Sequence, residues 1–166
     1  MAKEMTLADL FYDTLKDIYY AERQILKALP KMARAAQSEE LKKGFEMHKE
    51  QTDGQIERLQ QVFEIIGKRA QGKTCEAMQG LIAEGEEIME EFKGTPALDA
   101  GLISAAQAIE HYEIARYGTL KAWAQQLGYK DAVGLLEATL KEESQTDEKL
   151  TKLAVTALNS AAKKAA

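Results

Sequence analysis

The chain of 166 residues has one cysteine, Cys75, so it can form neither an internal disulfide framework nor a Cys-rich zinc site of its own. That usage suits a reducing interior. Proline is equally scarce, with only Pro30 and Pro96, and strand-type runs of Val, Ile, Thr and aromatics are missing, which leaves helix as the regular structure. No stretch approaches the roughly 18 apolar residues that span a bilayer, and the N-terminus has no apolar leader segment. The expectation is a cytoplasmic protein with no membrane partner. The net charge of −5, with both signs interspersed, argues against nucleic acid as a partner, Lys163 and Lys164 being a small basic patch.

What the sequence has is helix punctuation. Starts are marked by Thr6, Ser38, Thr74, Thr95 with Pro96 at the first helical position, and Lys130 or Asp131 after the break at Leu127, Gly128 and Tyr129. These predict helices over 6–36, 39–66, 74–92, 96–127 and 131–161. Pro30 falls late in the first, where the apolar pattern continues to Met32, so a bend is expected rather than a stop. Tight joints at Gln37 to Ser38 and at Gly128 to Tyr129 make two antiparallel hairpins, and residues 67–95 join them with the short helix. The predicted fold is all-α: one domain over 1–166, a four-helix bundle with the single crossover of ferritin-like proteins, the crossover carrying a short additional helix.

The first helix carries an anomaly. Phe11, Leu15, Ile18, Glu22, Ile25, Leu29 and Met32 step by four and three along one seam, and Glu22 stands where an apolar residue belongs. An ionised carboxylate taken out of water costs several kcal/mol unless it meets a cation or a proton. Other helices repeat the pattern. The inner face of the fourth carries Glu113 with Glu110 one turn away, that of the fifth carries Glu143 with Asp147 one turn on, and that of the second is interrupted by His48, Thr52 and Gln55. Counted from the two joints, all lie within roughly two turns of mid-bundle. No Lys or Arg shares these faces at that height, and Arg23, Arg58 and Arg116 project away or sideways. Clustered acids with an imidazole suit a paired site for iron, manganese or zinc. The predicted ligands are Glu22, His48, Glu110, Glu113, Glu143 and Asp147. On the second helix Glu50, Thr52 or Asp53 compete with His48, although Glu50 projects opposite the apolar face. His111 points outward, and Tyr117 faces in one turn from Glu113, placed to hydrogen-bond a ligand carboxylate.

The run from Tyr19 to Gln24 (YYAERQ), the stretch from His48 through Thr52 and Gln55 to Arg58, Gly72 to Met78 (GKTCEAM), Glu110 to Ala115 (EHYEIA) with Tyr117 to Leu120, Gln126 to Gly128, and Glu142, Glu143, Thr146 and Asp147 together resemble the YciE/YciF family of stress-associated bacterial proteins. The resemblance covers nearly the whole chain. It implies a ferritin-like, dimeric protein with a centre of two metal ions, discussed as iron, and it does not imply a known reaction; from the ligand set itself the expectation is a site that oxidises ferrous iron while reducing oxygen or peroxide. It also leaves open a non-catalytic stress or assembly protein whose metal only stabilises it. Tyr12, Tyr19, Tyr20 and Trp123 exceed what a narrow core needs and are expected to cover a homodimer surface. Neither Glu50 to Asp53 nor Glu143 to Thr146 completes the Glu-x-x-His of di-iron bundles, so the expected site is rich in carboxylate and poor in histidine.

Overall fold

A computed structural model describes residues 3–164. Thr6 opens helix α1 (Leu7–Ala35) with a reciprocal cap: its hydroxyl accepts from the Asp9 amide at 3.2 Å while the Asp9 carboxylate accepts from the Thr6 amide at 2.9 Å. The helix runs through Pro30, whose missing N–H only leaves the Leu26 carbonyl without its helical donor. Ser38 caps helix α2 (Glu39–Ile65) by accepting from the Leu41 amide. The turn between them is held from outside, because the Asp99 carboxylate accepts from the Gln37 and Ser38 amides at 2.8 and 2.7 Å.

The later starts shift from expectation for identifiable reasons. Helix α3 (Glu76–Glu91) is capped by the Cys75 sulfur, which accepts from the Met78 amide, so Thr74 stays outside. Helix α4 (Leu98–Gln126) begins two residues after Pro96 without a side-chain cap, and the Thr95 hydroxyl instead donates backward to the Phe92 carbonyl at 2.8 Å. Helix α5 (Lys130–Leu153) follows Gly128, whose φ of 78° makes the reversal, and continues through a π-helical turn (Ala154–Leu158) into α6 (Asn159–Lys164).

The four long helices form a ring in which α1 touches α2 and α4, and α5 touches the same two. Helix α3, on the crossover, lies against α4 and α1. This is the ferritin-like connectivity. The α1 seam is buried throughout, from Phe11 to Met32 and including Glu22. Tyr12 and Tyr19 set their rings edge-on to Phe63, and Tyr20 and Trp123 are half-buried against the core, so packing inside the fold uses much of each ring expected at an association surface. Cys75 is buried as well, and burial pushes its thiol above the ordinary range despite its place at a helix start.

Candidate metal centre

Each long helix sends a polar side chain into the middle of the bundle. Glu22 comes from α1 between Ile18 and Ile25, His48 from α2 beyond Phe45, Glu110 and Glu113 from α4 at a three-residue spacing that puts them on one face, and Glu143 from α5 one turn past Thr139. All five are buried; the four glutamates have no exposed surface and His48 keeps 4%. On α2 the competition resolves by orientation. Glu50 and Asp53 are exposed, and the buried Thr52 turns its hydroxyl to the His48 carbonyl at 2.8 Å.

His48, Glu110, Glu113 and Glu143 each bring one ligand-capable atom to within 4.8 Å of the others. The His48 Nε2 stands 3.0 Å from Glu110 Oε1 and 3.9 Å from Glu143 Oε2, yet the angles make no hydrogen bond. Glu22 adjoins this group: its Oε1 accepts from the Tyr117 hydroxyl at 2.5 Å, and its carboxyl lies within reach of Glu113. Both oxygens of Glu110, Glu113 and Glu143, together with Glu22 Oε2, have no hydrogen-bond partner. Such atoms are normally satisfied in a folded protein, and several in one place point to a cation or to protons.

The electrostatics agree with that geometry. Burial, reinforced by the Glu143 charge, raises the Glu22 carboxyl to about 8. Burial followed by Glu143 also lifts Glu110 and Glu113 well above the ordinary carboxylate range. For His48 burial acts in the opposite sense, lowering its pKa and keeping the imidazole neutral, which is the metal-binding form. Tyr117 is pushed up by burial and by the neighbouring Glu22 charge, so its phenol remains a donor.

The structure does not bring Asp147 into this group. One turn beyond Glu143 the α5 face has rotated toward the surface, and the Asp147 carboxylate accepts from Gln107 Nε2 at 3.1 Å and pairs with the exposed His111 at 3.1 Å. A second polar layer was not anticipated. Arg58 on α2 makes a bidentate pair with Glu142 on α5 at 2.6 and 3.0 Å, donates to Thr139, and shares Glu142 with Gln55. Burial raises the Glu142 carboxyl, but the Arg58 and Gln55 hydrogen bonds outweigh it and hold it below its ordinary value. The one sequence signal for this layer is that Arg58 follows Gln55 at helical spacing along the edge of the inner face.

Residues 6–163 match a family described as a domain of unknown function, DUF892. The chain is 48% identical over 155 residues to Protein YciF of Escherichia coli (strain K12), covering 93% of each. The crystal structure of that stress protein aligns with a TM-score of 0.90 over 94% of this chain and 99% of the other. The protein YcfI from Rhodopseudomonas palustris aligns with a TM-score of 0.86 at 49% identity, over 89% of this chain and 94% of its own.

Proposed function

We propose a function from the premise that the chain belongs to the DUF892 family: it is a ferritin-like protein whose bundle holds two metal ions, iron by preference, and it works in bacterial stress response. The setting is carried over from the Escherichia coli relative, whose name describes it as a stress protein. The metal reading rests on one observation, the seven carboxylate oxygens of Glu22, Glu110, Glu113 and Glu143 that are buried without a hydrogen-bond partner beside the equally unpartnered His48 Nε2. Ionised, these four glutamates carry four negative charges, which two divalent cations would neutralise. Oxygen donors with one imidazole suit iron, manganese or zinc.

The residues divide the work. Glu110, Glu113, Glu143 and His48 would hold metal between them, and Glu22, beside Glu113, would extend the donor set. Tyr117 orients Glu22 through its hydroxyl, and the neutral His48 keeps a lone pair free. Beside His48 and Glu110 the buried Ile25, Leu29 and Ile109 exclude bulk water. Iron held there would supply redox chemistry, its oxidation from ferrous to ferric providing electrons to dioxygen or peroxide. A second reading has its own support: burial, reinforced by the neighbouring acids, raises the Glu22, Glu110 and Glu113 carboxyls, so protons can stand in for a cation there, as a non-catalytic stress or assembly protein would need. Elemental analysis after anaerobic purification and ferrous loading separates the two. The metal reading expects about two ions per chain. A chain that takes up neither iron, manganese nor zinc is the structural protein.

A further inference from the structure

Between the first half of α2 and the end of α5 a groove of about 450 Å³ opens to solvent, within the size range of small-molecule sites. Its walls are apolar: Leu41 and Phe45 on one side, Leu150 and Leu153 on the other, with Met47 at the mouth, 52% exposed. The π-helical turn borders the end that Thr156 lines, a local widening of the kind often found at binding sites. His48 belongs to the same lining, so one ring serves two environments, its Nε2 edge turned to Glu110 and the rest reaching the groove.

The rim is cationic in a chain of net charge −5. Lys43, Lys149 and Lys152 stand around the opening and make no ion pair with any described residue, whereas Lys16, Lys31, Lys42, Lys73 and Lys121 all do. Among the described residues Glu40 is the only acidic one in the lining, so the mouth carries a net positive charge. Apolar walls with unpaired cations at the mouth are complementary to one kind of occupant. We propose that this groove binds a small organic anion with a flat apolar body, of the aromatic carboxylate class, its charge at the lysine rim and its ring between the leucines above His48. The groove would thereby bring that molecule to the one histidine of the carboxylate cluster. Binding itself does not depend on the metal.

The probe is 2-naphthoate, titrated into metal-free and zinc-loaded protein, with neutral 2-naphthamide as the uncharged control. The expected dissociation constant is on the order of 100 µM for naphthoate, with the amide at least roughly tenfold weaker and the difference shrinking in high salt. The chain has only two histidines, so ring proton signals report position: those of His48 should move and those of His111 should not. A β-carbon added at Gly44, which lines the groove, meets nothing within 4 Å, and losing a glycine from a helix interior favours the fold. Gly44→Phe should therefore fold normally by circular dichroism and thermal melting and weaken naphthoate by about tenfold or more. Lys149→Gln should weaken it by about threefold and leave the amide unchanged. Equal affinity for acid and amide, an unaltered affinity in Gly44→Phe, or movement of His111 alone would overturn the proposal. So would binding that disappears as protein concentration rises, because the occupant would then be a second copy of the chain. Zinc stoichiometry, measured in the same samples, tests the metal centre independently of the groove.

Discussion

Glu142 and Glu143 are neighbours on one helix and live in opposite circumstances. Glu142 meets Arg58 in a two-point pair, with Gln55 adding a third hydrogen bond, and its side chain keeps 24% of its surface in contact with solvent. Glu143 is fully buried, and neither of its oxygens has a partner. A rotation of about 100° on the helix separates the two states. The fold can therefore supply an arginine to a carboxylate at this level of the bundle, and it does so on the side. In the middle it supplies four glutamates and a neutral histidine instead. The contrast makes the central arrangement a matter of which charge is left for something else to provide.

The largest effect expected from that contrast is on metal removal. Chelation at pH 7 should lower the melting midpoint of the loaded protein by roughly 10 °C, corresponding to about 4 kcal/mol of binding linkage. The pH dependence has a definite sign. A carboxyl raised on folding, as Glu22 is from 4.5 to about 8, keeps its proton in the native state while the unfolded chain has lost it, so stability falls as pH climbs through that window. Metal-free protein should thus gain stability from pH 7 to pH 5.5, and since protons also compete for the ligands, the gap to the loaded form should narrow. A midpoint that ignores chelation at pH 7 would erase the distinction between the two glutamates.

Arg58→Ala tests the partnered side. Both members of the pair retain about a quarter of their surface, 26% and 24%, so the loss should be about 2 kcal/mol in urea unfolding, below that of breaking a fully buried pair and the same with or without metal. Glu113→Gln sharpens the comparison with the smallest change in stability and the opposite sign. Metal-free, it removes one of the mutually repelling acids and should stabilise by about 1 kcal/mol, while metal affinity in competition titration falls at least roughly tenfold. Equal destabilisation of both forms would make Glu113 a structural residue.

The sequence made the central acids legible because burial of an acid violates a pattern: Glu22 interrupts an otherwise apolar seam, and Glu113 and Glu143 do the same at matching heights. The caps at Thr6 and Ser38 were legible for a related reason, since each hydroxyl serves its own helix. Where a side chain's partner lies elsewhere in space, the pattern fails. The Thr95 hydroxyl turns back to Phe92 and so misreports the start of α4, and the Glu142 pair needs the lateral spacing of α2 and α5, which no single helix encodes. Asp147 misleads differently. It lies one turn from Glu143 on the same helix, but there the face turns toward the surface and its carboxylate pairs with Gln107 and His111.

Asp99 has a kinetic consequence. Its carboxylate closes on the amides of Gln37 and Ser38 from 62 and 61 residues away, at the turn of a hairpin that the chain has long since passed. The α1 and α2 hairpin can collapse early because its contacts are local, yet two of its turn amides, those of Gln37 and Ser38, meet their protein acceptor only when α4 arrives. The last act of assembly is then written at two backbone amides: they stay open to exchange with solvent while the rest of the hairpin has closed, and they fall silent when the second hairpin docks.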